Sequence, residues 1–95
     1  MFRIEKIFEN HQTELIKVEG EVNDSEVIDW ADSLQAMLDD SLKQVILNFS
    51  ELTFLCPKAV EVLIHCMTPN LLLLNCPTAL RNRIRAAGWP ENILD

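Results

Sequence analysis

The chain reads as a small α/β domain, a mixed four- to five-stranded sheet with helices packed on it. Three observations carry that reading. Val45–Phe49 and Leu71–Leu74 are short apolar runs of the length and composition of covered strands. Stretches near 25–40, 57–67 and 78–87 repeat apolar residues at helical spacing instead. The junctions between the two kinds of segment carry Pro57, Pro69, Pro77, Gly88 and Pro90, which stop one element and admit the next.

Taken in order, residues 2–8 and 14–22 are two strands joined near Asn10-His11-Gln12. In the second, Ile16, Val18, Gly20 and Val22 alternate with Lys17, Glu19 and Glu21, which predicts one buried and one wet face. Asn23, Asp24 and Ser25 are all good N-caps for a first helix over about 25–40. Its stripe is Val27, Trp30, Ala31, Leu34, Met37 and Leu38. Asp39 and Asp40 sit badly at the negative end of that helix and are read as the start of its fraying. The strand from Val45 continues through Leu52, Phe54 and Leu55. It stops at Cys56, because a following proline excludes helical dihedrals there.

Pro57 suits the first helical position, where no backbone donor is needed. The helix it opens, about 57–67, is apolar almost all round. Val60, Leu63, Ile64 and Met67 make the stripe; Ala59, Val62 and Cys66 widen it; only Lys58, Glu61 and His65 are left for solvent. Leu71–Leu74 is then a buried strand. A third helix over 78–87 turns Leu80, Ile84 and Ala87 inward and Arg81, Arg83 and Arg85 outward, with Gly88 as its left-handed cap. Ile93 and Leu94 add a last packing segment. The order β-β-α-β-α-β-α implies parallel later strands and right-handed crossovers. Residues 1–95 form one domain, with no repeat and no linker.

The bulk numbers narrow the function. The 95 residues are 48% hydrophobic with only two glycines, a composition for a packed globule. The longest aliphatic run is far too short to cross a bilayer. MFRIEKIFEN is charged throughout, unlike a signal peptide. A cytoplasmic protein without direct membrane insertion is expected. Cys56, Cys66 and Cys76, odd in number and in apolar contexts, read as reduced thiols. With His11 and His65 they do not make a zinc pattern, so no metal and no cofactor is expected.

The net charge of −7 is uneven: residues 1–42 hold eleven acids and three bases, residues 43–95 four acids and five bases. Such an acidic field repels phosphate backbones and argues against nucleic acid. It could attract a basic protein surface, or simply solubilise the chain.

Residues 45–66, VILNFSELTFLCPKAVEVLIHC, resemble the central motif of the STAS domain, the module of anti-sigma factor antagonists. Val45–Phe54 is similar to that family's strand, and Val60, Leu63 and Ile64 to the helix after its Asp-Ser-Ser-Gly-like turn. Gly20-Glu21-Val22, Cys76-Pro77-Thr78-Ala79-Leu80 and Ala86-Ala87-Gly88-Trp89 extend the resemblance over nearly the whole chain. The pattern departs at the most chemical position. Pro57 stands where the family carries its phosphorylatable serine, Cys56 where it has the preceding aspartate, and Asn48 where it often has another aspartate.

The resemblance implies a non-catalytic module that binds a protein. The partner would be an anti-sigma-type kinase, or the ATPase subunit of an ABC lipid transporter, and Pro57 removes the hydroxyl on which the kinase cycle depends. The expected partner-binding residues are Cys56, Pro57, Lys58, Ala59, Glu61, Val62 and His65, with Pro57 a degenerate phosphosite. Ser50 and Thr53 are nearby hydroxyls to which a switch could have moved. The oligomeric state stays open.

A rival reading makes Cys56 a reactive thiolate at a helix N-terminus, in a small thiol enzyme or redox sensor. Such a thiol wants a base within hydrogen-bond reach. His65 lies roughly 13 Å further along the helix at ~1.5 Å per residue, too far to serve, and His11 lies on a turn of unknown position. Asp29 and Asp32 are a carboxylate pair on an exposed face, without the desolvation that acid–base work uses. The three arginines are spread around their helix, and Trp30 and Trp89 read as packing residues.

Overall fold

The computed structural model describes residues 1–39 and 42–94. Among these residues five strands form one sheet in the order β1-β2-β3-β4-β5. They are β1 (Phe2–Glu9), β2 (Thr13–Val22), β3 (Gln44–Leu55), β4 (Leu71–Leu74) and β5 (Ile93–Leu94), and the helices are α1 (Val27–Asp39), α2 (Pro57–Cys66) and α3 (Thr78–Ala86). β1 and β2 are an antiparallel hairpin; β2, β3, β4 and β5 are parallel neighbours. The mixed sheet and the element order are those expected, and the closing apolar segment is a genuine fifth strand. Asp40, part of the expected fraying of the first helix, lies outside the described residues.

Each strand of the parallel series is next to its sequence neighbour, so right-handed crossovers put all three helices on one face. That face is the core. Ile16, Val18, Val45, Leu47, Phe49, Leu71 and Leu73 alternate inward along the strands and meet Trp30, Leu34, Ala59, Val60, Leu63, Leu80 and Ile84 from the helices, all buried. Residues between them on the strands point to the open face. There Phe8, Leu15, Ile46 and Leu72 align in register across four strands. At the other end of that face, Arg3 pairs with Glu5 and Glu19, and Lys17 with Glu5 and Glu19.

Turn chemistry explains the joints. The Asn10 Oδ1 accepts from the backbone N–H groups of Gln12 and Thr13, both at 2.8 Å, closing the β1–β2 turn. α1 begins two residues later than expected, because Asp24–Glu26 is a single 3-10 turn. Glu26 reaches back from it to accept from the Asn23 N–H at 3.2 Å. Gly20 is held at φ +88 alongside β1, and a Cβ there would run into the Met1 carbonyl oxygen. Among the described residues, no helix is long and apolar enough to cross a membrane.

Candidate functional site: the proline-opened end of α2

β3 is far longer than β4. Only Val45–Asn48 pair with β4; the strand then runs on to Leu55 against β2 alone, with register shifts on the way. The first shift follows from Asn48. Its Oδ1 accepts from the Ser50 N–H at 3.0 Å and from the Asn75 side chain at 3.0 Å, turning the strand past the end of β4. Asn75 itself stands at φ 59, the left-handed region that asparagine tolerates. Asn48 thus holds the point where β3 passes the end of β4, and a neutral amide suffices for that work.

The extension ends at Cys56, in extended conformation at φ −64, ψ 159, as a residue before proline should be. Its N–H donates to the Val22 carbonyl at 3.0 Å, and its own carbonyl accepts from the Val60 N–H at 3.0 Å. Cys56 is therefore the hinge between strand and helix, and Pro57 occupies the first helical position as expected. The inner side of α2 is fixed by Trp30, whose indole Nε1 donates to the Ala59 carbonyl at 3.0 Å. Trp30 is wholly buried and meets Phe2 edge-on at 5.5 Å.

The expected site residues fall into two groups. Pro57, Lys58, Glu61 and His65 are exposed on one edge of α2, as the sequence pattern requires. Val62 is half-buried against the core. Cys56 and Ala59 belong to the other group. Both were expected among the partner-binding residues, but Ala59 is fully buried beside Trp30, and Cys56 is 3% exposed. Neither side chain can touch a partner. The physical cause is that α1 meets α2 at its first turn, where the Trp30 indole bonds the Ala59 carbonyl.

The open apolar surface lies instead on the other side of Pro57. Leu52, Phe54, Leu55, Pro57, Val60, Pro77, Ala79 and Leu80 line a groove of about 350 Å³, with Thr53 and Arg83 on its rim. Phe54 is 49% exposed there. Arg83 closes one side by donating to Glu61 Oε1 at 2.6 Å, which ties α3 to α2. Thr53 Oγ1 donates to the Gly20 carbonyl at 2.9 Å, so this hydroxyl is occupied in holding the extension. Sequence periodicity read Phe54 only as strand. The available signal was that β3 outlasts any strand that could cover it: twelve residues against the four of Leu71–Leu74.

The other candidates are dispersed. His11 lies in the β1–β2 turn, at the start of β2, whereas Cys56 bonds to Val22 at its end. Ten residues of strand at ~3.3 Å each separate them. None of the three cysteines is in a disulfide. Burial pushes the Cys66 thiol above its usual range, and the nearby Asp39 carboxylate adds to that. Among the described residues no cluster of His, Cys, Asp and Glu could hold a metal ion.

This architecture is the STAS-like one of anti-sigma factor antagonists, and the resemblance carried by residues 45–66 holds in three dimensions. Phosphorylated SpoIIAA, a Bacillus cell fate determinant, superposes over 100% of this chain and 90% of its own with a TM-score of 0.73 at 19% identity. The unphosphorylated form of that anti-sigma factor antagonist gives 0.69, again at 19% identity, over 100% of this chain and 87% of its own. An anti-sigma factor antagonist from Mycobacterium paratuberculosis gives 0.67 at 18% identity over 96% and 83%. No family model matches the sequence, and no curated protein does.

Proposed function

We propose that this chain is a non-catalytic regulatory module that works by binding another protein at the proline-opened end of α2. One observation carries the reading. The inner side of α2 is sealed by α1 and the sheet, while Phe54, Pro57 and Ala79 stand exposed around an apolar groove at its N-terminus. An apolar centre with Lys58, Glu61, Arg83 and His65 around it has the make-up of a protein-binding patch. Pro57, Lys58, Glu61, Val62 and His65 supply its α2 side. Cys56 and Ala59 act from beneath, by setting where the helix begins. The acids Glu21, Asp24, Asp29 and Asp32, all exposed near α1, would steer a basic partner.

Pro57 bears on the choice of partner. It has no hydroxyl to phosphorylate, so docking here is constant rather than switched at this position. That weighs against a phosphorylation cycle with an anti-sigma-type kinase and favours a partner that needs none, such as the ATPase subunit of a lipid-transporting ABC system. Cys56 offers little to a thiol enzyme: its side chain is buried and His11 is at the far end of β2.

The test uses purified candidates of both kinds, a kinase of the anti-sigma type and a transporter ATPase subunit from the same genome. Binding is measured to wild type and to Phe54→Ser with Lys58→Glu, after circular dichroism confirms both fold. One candidate should bind wild type and lose at least about tenfold in affinity to the variant. Equal binding by both forms would place the interface elsewhere.

A further inference from the structure

The outer edge of β1 offers a different surface, independent of the α2 groove. β1 is the end strand of the sheet, and among the described residues only its β2 side is paired. The direction of each backbone group follows from one bond. The Glu21 N–H donates to the Met1 carbonyl at 2.9 Å, flanking the pair Phe2–Gly20. Phe2 is thus in a non-hydrogen-bonded pair with β2, and so, two and four residues on, are Ile4 and Lys6. Their N–H and C=O groups point away from β2, off the edge. Arg3 and Glu5 turn theirs inward. The ladder is interrupted after Lys6, where a register shift sets Ile7 out of line at 46% exposure.

An antiparallel copy of β1 can meet this edge only in registers that oppose Phe2, Ile4 and Lys6 to one another. Few exist before the bulge, and charge separates them. Centring the two-fold on Arg3, Glu5 or Lys6 opposes like charges directly, which is destabilising. Centring it on Ile4 opposes Arg3 of each copy to Glu5 of the other, twice. These fall at non-hydrogen-bonded positions, where facing side chains come closest. In the same register Ile4 exchanges both backbone bonds with its counterpart, and Phe2 and Lys6 exchange theirs. Arg3 and Glu5 already pair within one chain on the open face, 67% and 37% exposed, so they need only change partners.

We propose that two copies of this chain associate through β1, antiparallel about Ile4, into one continuous sheet held in register by reciprocal Arg3–Glu5 pairs. The occupant of the edge is a second copy because the charge order along Phe2–Lys6 is complementary to its own reverse. β5, at the opposite edge, is two residues long and offers no comparable ladder. The sheet joins at the edge away from α2 and α3, and both grooves stay open.

Sedimentation equilibrium tests this with charge variants at exposed positions. Wild type should show a concentration-dependent monomer–dimer equilibrium. Arg3→Glu and Glu5→Arg should each weaken it at least about tenfold, since each opposes like charges at both pairs. An equimolar mixture of the two should recover dimer as a heterodimer, because acids on one chain then face bases on the other. A wild type that stays monomeric throughout, variants that dimerise like wild type, or a mixture that stays monomeric would overturn the proposal. Amide exchange in wild type gives a second reading that needs no variant. The Ile4 and Lys6 N–H groups should gain protection with concentration, while Arg3 and Glu5 stay constant. Rapid exchange of Ile4 at every concentration would also overturn it.

Discussion

The two ends of the parallel strands are finished in opposite ways. At the end where β2 and β3 begin, charges close on one another: Lys43 reaches Glu9 at 2.6 Å, and Lys6 lies 3.3 Å from Glu9 and 3.6 Å from Glu14. At the end where they finish, apolar residues stay open: Phe54, Pro57 and Ala79 face solvent, with the Arg83–Glu61 ion pair on the rim. At the first end the charges are satisfied by their own neighbours, although Phe8 and Leu42 are exposed there. The second holds apolar area that only another molecule can cover. In parallel α/β sheets the working surface lies beyond the carboxyl ends of the strands. Here that end is the one where the apolar groove lies.

The largest expected effect separates the sealed from the open side of α2. Trp30→Ala would remove a fully buried indole, its bond to Ala59 and its edge contact with Phe2. It should cost about 3–5 kcal/mol in urea unfolding, and the variant should be largely unfolded if the parent is marginal. Phe54→Ala should change stability by no more than about 1 kcal/mol, because half that ring is already in water. Equal losses from the two would show that the groove is core rather than surface.

A second contrast lies within the backbone. Gly20 and Gly88 both have positive φ, +88 and +95, but a Cβ at Gly20 meets the Met1 carbonyl whereas at Gly88 it meets nothing within 4 Å. Gly88→Ala should cost about 1 kcal/mol, the left-handed term alone. Gly20→Ala adds a clash and should cost at least about 2 kcal/mol, since β1 must shift to admit it. Thermal melts of the pair read the difference directly.

These contrasts also show what the amino-acid order could reveal. Element order, parallel pairing and the buried face were legible because periodicity and proline placement act locally, as at Cys56-Pro57 and in the alternation of Ile16 and Val18. The exposed edge of α2 was legible for the same reason: Lys58, Glu61 and His65 are the polar residues of an apolar helix. The groove was not. Whether Phe54 is covered depends on where β4 stops, and whether Ala59 is covered depends on the angle at which α1 arrives. Both are set by contacts between residues far apart in the chain. Arg83 read only as an outward-facing residue of its helix, because its bond to Glu61 joins two helices that periodicity treats separately.

The charged end predicts its own pH response. The Lys43 ammonium, bonded to Glu9, holds that carboxyl down at about 2 from 4.5, with Lys6 adding to it. A depressed carboxyl contributes stability that is present above its unfolded value and is lost as pH falls towards its folded one. The urea midpoint should therefore drop between about pH 5 and 2. Lys43→Met should flatten that part of the curve. A matching Lys58→Met at the open end should leave it unchanged, since Lys58 makes no ion pair among the described residues. If both curves coincide with the parent's, the network at the start of the strands does not govern the acid limb.

The smallest effect belongs to the Arg83–Glu61 ion pair beside the groove. Arg83 and Glu61 are 45% and 56% exposed, so solvent screens their attraction and salt weakens it further. Arg83→Ala should cost at most about 1 kcal/mol of stability. Its consequence for binding should be larger in proportion. With the guanidinium gone, Glu61 is free and the α3 wall of the groove loses its tie to α2, so a partner must order what the parent holds ready. A double-mutant cycle with Glu61→Ala, read once by urea unfolding and once by partner affinity, separates the two roles. A coupling seen in affinity but hardly in stability marks the pair as part of a docking surface. A coupling equal in both marks it as an ordinary helix–helix tie, and the rim of the groove then ends at Pro57 and Lys58.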